Sequence, residues 1–144
     1  SDRITGDSLG PLIGHRLSKQ SWNQIHVYGT LQNPVHALNL SDTLDFVKRQ
    51  HPSALLVAID ASLGSRKHIG FITIGTGPLY PGAGVNKELA PVGDLFITGI
   101  LNESGTFEHL LLQTTRLSFV VRMAETIASG IEQAFQKNLL NGLT

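Results

Sequence analysis

The 144-residue sequence contains no cysteine. Disulfides and thiolate metal sites are therefore excluded, and the composition suits a reducing compartment. Charge is sparse as well. Charged residues make up 15% of the chain and balance to a formal net charge of zero. Lys48-Arg49 and Arg66-Lys67 are the only adjacent basic pairs, so the chain has no electrostatic footprint for nucleic acid. No stretch approaches the roughly 20 apolar residues of a membrane span, and no membrane partner is expected. A signal peptide is not expected before the fold, which sets aside Asn39-Leu40-Ser41 and Asn102-Glu103-Ser104 as glycosylation sites. The six histidines, at 15, 26, 36, 51, 68 and 109, form no i, i+4 pair and no HExxH. Each reads as structural or solvated; no metal or cofactor is expected.

What is present is a globular composition, 41% apolar, in a length that fits one domain spanning residues 1–144. Six apolar residues in a row, 54–59, run into Asp60. Such a run, rich in branched side chains and followed by Gly64, predicts a strand buried on both faces in the middle of a sheet. Ligands of open α/β sheets gather outside the carboxyl ends of the strands, where this reading places Asp60.

Around that strand the pattern alternates. Residues 8–19 predict a helix, with Asp7 or Ser8 as N-cap and Pro11 in the first turn. Residues 26–31 predict a strand. Residues 42–50 predict a helix capped by Ser41, with Leu44 and Val47 inward and His51-Pro52 as the stop. Residues 69–74 and 95–101 predict two more strands with no helix between them, a pair that can be antiparallel. Residues 75–88 are rich in Gly and Pro and predict a long irregular loop of the kind that often carries function. Leu117, Val120, Val121, Ala124, Ile127, Ala128, Ile131 and Phe135 keep the helical period, opposite Arg122, Glu125, Ser129, Glu132 and Gln136. This stripe reads as core packing; a homo-oligomer contact is its less expected use. The whole predicts a three-layer α/β/α sandwich with a mixed, mostly parallel sheet. Because an α/β domain usually opens with a strand, a first strand is expected upstream of Ser1.

Three stretches carry candidate chemistry. Gly6-Asp7-Ser8-Leu9 spells the nucleophile block of a class of serine esterases. That chemistry needs an Asp-x-x-His pair near the C-terminus, and no aspartate here has a histidine three residues on, so Ser8 lacks an activating base. Asp7 and Asp60 are the stronger pair. Both would follow strand ends, and adjacent parallel strands would bring the carboxylates to one edge of the sheet. Close carboxylates push their pKa values apart and divide acid from base work. The alternatives are an N-cap for Asp7 and a capping or ion-pair role for Asp60. In Pro81-Gly82-Ala83-Gly84-Val85-Asn86-Lys87-Glu88, Gly82 and Gly84 permit close backbone approach to a substrate, and Lys87 offers a positive charge near the acids. The loop is neither a Walker loop nor a dinucleotide fingerprint; a flexible surface loop is the alternative.

Taken together, Gly6-Asp7-Ser8-Leu9-Gly10-Pro11, Val27-Tyr28-Gly29-Thr30, Ala58-Ile59-Asp60-Ala61, the Pro81 to Leu89 loop and Gln113-Thr114-Thr115-Arg116-Leu117 resemble the YyaC-type sporulation proteins of spore-forming bacteria. That family is similar to the germination protease, which degrades small acid-soluble spore proteins, and more distantly to hydrogenase-maturation endopeptidases. The resemblance implies a phosphorylase/hydrolase-like fold and catalytic roles for Asp7 and Asp60. The histidine that helps the maturation endopeptidases bind nickel has no counterpart here; Asn86 and Lys87 stand in its region.

The function expected from the resemblance is a sporulation-associated endopeptidase, located in the cytoplasm of the forespore or spore. Asp60 would be the base that activates water and Asp7 the acid that protonates the scissile amide. Gly82, Gly84, Asn86 and Lys87 would position a protein or peptide substrate. The alternatives are a non-catalytic binding protein with the same cleft and a metal-assisted maturation endopeptidase.

Overall fold

The computed structural model describes residues 6–81, 89–105 and 115–142, with side chains as far as Gln136. Among the described residues, three α-helices, α1 (Leu9–Leu17), α2 (Leu40–Gln50) and α3 (Leu117–Gly142), accompany three strands, β1 (Val57–Gly64), β2 (Ile72–Thr76) and β3 (Leu95–Glu103). The sheet order is β1-β3-β2. β1 and β3 are parallel, with Asp60 opposite Thr98. β2 and β3 are antiparallel, with Thr73 opposite Thr98. The α/β class and the mixed sheet are as the alternation predicts, and so is the antiparallel pair.

The register of β1 on β3 is pinned at its start. The Leu56 N–H donates to the Asp94 carboxylate at 2.9 Å, and the Asp94 N–H donates to the Leu56 carbonyl at 2.7 Å. This double link lets pairing begin at Val57. It also corrects the placing of the apolar run. Residues 54–56 precede the strand, Leu55 is 65% exposed, and among the described residues β3, not β1, is the middle strand. An apolar run reports burial of a strand poorly when its first half lies outside the ladder. Asp60 likewise sits in mid-strand, because β1 continues to Gly64. Past Ser62 the ladder slips by one residue of β3, a bulge that bends the sheet just beyond Asp60.

One face of the sheet carries the core. Leu9, Ile13 and Leu17 of α1 meet Val120, Met123, Ala124, Ile127 and Ala128 of α3 over Ala61 and Leu101. Gly99 makes this approach close. A β-carbon there would lie 2.1 Å from the Met123 sulfur and 2.9 Å from a Leu9 methyl. Of the predicted α3 stripe, Val120, Ala124, Ile127 and Ala128 are buried, Val121, Ile131 and Phe135 are half-buried, and Leu117 at its start is 58% exposed. The opposite α3 face holds an ion pair back to α1, Arg16 to Glu132 at 3.5 Å.

Several local expectations are corrected. Ser8 stands at the α1 N-cap, yet its side chain makes no capping hydrogen bond. A 3-10 turn, Gly6–Ser8, leads directly into the helix and gives Ser8 helical dihedrals, whereas a capping side chain needs an extended backbone. Asn39, not Ser41, takes the N-cap position of α2. Residues 26–31 form no strand among the described residues. Gly29 interrupts them at φ 87°, and its carbonyl packs against Gly14 of α1. The strand expected over 69–74 begins at Ile72, since the Arg66–His68 turn and Gly70 at φ 92° intervene.

Candidate functional site

Asp60 lies on β1 on the face opposite the α1–α3 core, because its neighbour Ala61 points into that core. Its carboxyl oxygen Oδ1 accepts a 2.8 Å hydrogen bond from the Ala61 N–H. Burial lifts the carboxyl from the ordinary 3.8 to about 6. The Ala61 hydrogen bond works in the opposite direction, and the charge of Asp7 adds to the rise. Desolvation is the dominant cause, and among the described residues no cationic side chain pairs with Asp60 to oppose it.

Asp7 sits in the Gly6–Ser8 turn and is exposed. That turn and the first turn of α1 lie against β1; a β-carbon on Gly10 would stand 3.5 Å from the Ile59 carbonyl oxygen. The two acids chosen from sequence are therefore brought within range of each other's charge. Their surroundings differ: Asp60 is half-buried and Asp7 is exposed. Gly82, Gly84, Asn86 and Lys87 lie outside the described residues, and so does a strand preceding Ser1.

Four of the histidines, His26, His36, His51 and His68, have local side-chain contacts. His26 and His51 stack at 3.8 Å between ring centroids. The Tyr28 hydroxyl and His51 Nε2 lie 2.8 Å apart, with Phe46 edge-on to Tyr28. His68 pairs with the Ser65 hydroxyl at 2.8 Å, and His36 Nδ1 accepts from the Leu38 N–H at 3.2 Å. Among the described residues, no three His, Asp or Glu side chains converge.

Sequence reasoning missed an open cleft of about 630 Å³ between residues 27–36 and α2. Tyr28, Thr30, Asn33, Asn39, Asp42 and Phe46 are among its walls; Asp7 and Asp60 are not. The Val27-Tyr28-Gly29-Thr30 block lies in its wall, but no spacing in the sequence ties that block to α2. Thr98 was missed for the same reason. It is 8% exposed and reaches Asp60 only through strand register.

No helix among the described residues is long and apolar enough to cross a membrane. No solved structure matches the chain. The chain is 50% identical over 131 residues to an uncharacterized protein, YyaC, of Bacillus subtilis (strain 168). The match covers 91% of this chain and 64% of that relative, so the chain spans under two thirds of the relative's length. A family model described as protein of unknown function, DUF1256, matches residues 1–130, and the chain belongs to that family.

Proposed function

We propose that this chain is an aspartate-dependent hydrolase that cleaves peptide bonds. The observation that carries the reading is the unequal pair formed by Asp60 and Asp7. Asp60 holds a proton up to about pH 6, within reach of the pH at which a catalytic acid is useful. Asp7, which is exposed, takes a proton from an attacking water molecule in this reading. This division reverses the roles expected from sequence, and the burial of Asp60 is what supports the reversal. Water adds to the peptide carbonyl carbon as Asp7 accepts its proton. The carbon–nitrogen bond then breaks, and Asp60 gives its proton to the departing amine. Exchange of one proton between the pair and solvent restores the start. The pair titrates as a unit, as coupled acids do.

The peptide character of the substrate rests on the resemblance to the germination protease, as does the forespore setting. Small acid-soluble spore proteins are the first substrates to offer, with Gly82, Gly84, Asn86 and Lys87 assigned to substrate positioning. The test compares the wild type with Asp60→Asn, each with and without chelator. Cleavage by the wild type alone, unaffected by chelator, is the expected result. Equal cleavage by Asp60→Asn would sink the reading.

A second reading, a non-catalytic binding protein, is favoured by the cleft beside α2, which has the volume of a ligand site yet lies apart from the acids. It predicts binding without turnover that is insensitive to substitution of either aspartate.

A further inference from the structure

We propose that Thr98 is a substrate-holding residue of the Asp60 site, its hydroxyl donating a hydrogen bond to the carbonyl oxygen of the peptide bond under attack. This deepens the hydrolase reading and rests on it.

The placement comes from the backbone. Asp60, Thr98 and Thr73 are directly opposed on the three strands and form one row on one face of the sheet. Gly99, the next residue of β3, meets Met123 and Leu9 of the core. Thr98 therefore faces away from the core, on the side of Asp60. Neighbouring strands lie about 4.8 Å apart, so directly opposed side chains on one face can touch one small group. The row grades outward: Thr98 is nearly buried, while Thr73 is exposed.

The chemistry comes from the hydroxyl. Among the described residues, Thr98 Oγ1 has no hydrogen-bond partner, and no fully enclosed polar side-chain atom is left without one. The hydroxyl therefore keeps an opening to solvent although the residue is 92% covered. Ser62, the neighbouring hydroxyl on the Asp60 face of β1, is turned to the Gly99 carbonyl at 3.5 Å. Thr98 is left as the uncommitted donor beside Asp60. Packing gives no reason for a hydroxyl here, since valine has the same shape and an equal preference for strands. A donor aimed at the carbonyl oxygen stabilises the charge that develops as water adds.

The experiment measures Thr98→Val and Thr98→Ser for cleavage of a small acid-soluble spore protein and for thermal unfolding. The Thr98 methyl signal of the wild type is followed while the same protein is added. Thr98→Val is expected to lower kcat by about 100-fold with KM nearly unchanged, while its Tm stays level or rises. Thr98→Ser keeps most of the activity. Unchanged kcat in Thr98→Val, or a fall in its Tm of more than about 5 °C, overturns the proposal by marking the hydroxyl as idle or structural. If the wild type cleaves nothing, the hydrolase reading falls and the titration decides. A shifted methyl signal keeps Thr98 as a ligand-holding group, and an unmoved one removes it.

Discussion

Gly14 of α1 lies so close to Gly29 that a β-carbon on Gly14 would stand 2.0 Å from the Gly29 carbonyl oxygen. The obstacle is backbone, and Gly29 itself is held at φ 87°. Gly14→Ala is therefore expected to destabilise the protein by about 1–3 kcal/mol. Helix propensity alone would favour alanine by about 1 kcal/mol, so the sign separates the two effects. Urea unfolding of both proteins measures it.

Stability is expected to depend on pH through Asp60. The folded state holds the Asp60 proton up to about 6, whereas the unfolded chain releases it near 3.8. Between those values the folded state binds more protons, so stability falls as pH rises through the window. Asp60→Asn removes the slope and keeps the Oδ1 acceptor for the Ala61 N–H. It is expected to be more stable than the wild type at pH 7, by at most about 3 kcal/mol. Denaturant titrations at pH 4 and pH 7 provide the check; an unaltered slope in Asp60→Asn would place the effect elsewhere.

Asp7→Asn removes a like charge near Asp60. The Asp60 carboxyl is expected to titrate lower in that variant but to stay above the ordinary carboxylate range, because burial outweighs the Asp7 charge. Carbon-13 titration of the Asp60 carboxyl reads this directly. On the hydrolase reading the same variant also loses cleavage, through loss of the base.

The single tryptophan closes the end of α1. Trp22 Nε1 donates to the Leu17 carbonyl at 2.8 Å, one of the carbonyls a helix end leaves without an internal partner. Its ring stands edge-on to Phe135 of α3 at 5.2 Å. Trp22→Phe keeps most of the aromatic contact and removes the donor, an expected loss of about 1 kcal/mol. Thermal unfolding followed by circular dichroism tests it.

Periodicity made the helices legible, and α3 most of all, because its buried side chains, Val120, Met123, Ala124, Ile127 and Ala128, recur at helical spacing. The two acids were legible as residues. Their unequal burial was not, since it depends on a strand register set by Asp94 and on a turn that rests on Ile59. Strand limits failed where glycine intervened: Gly29 and Gly70 take positive φ, and hydrophobicity carries no sign of it. Thr98 was illegible because a cross-strand neighbour has no fixed distance in sequence.

The core joins segments that lie far apart in sequence. Leu9, Ile13 and Leu17 are covered by side chains that begin at Val120. During synthesis the first helix therefore emerges with its apolar face bare, and it stays bare until more than a hundred further residues have been added. Parallel pairing of β1 with β3 also waits for a distant strand. Such a chain folds late and as a whole, not progressively from its N-terminus. Ribosome-bound fragments that stop before α3 are then expected to remain open to proteases and to recruit chaperones, and emergence of α3 is the event that commits the core to its structure.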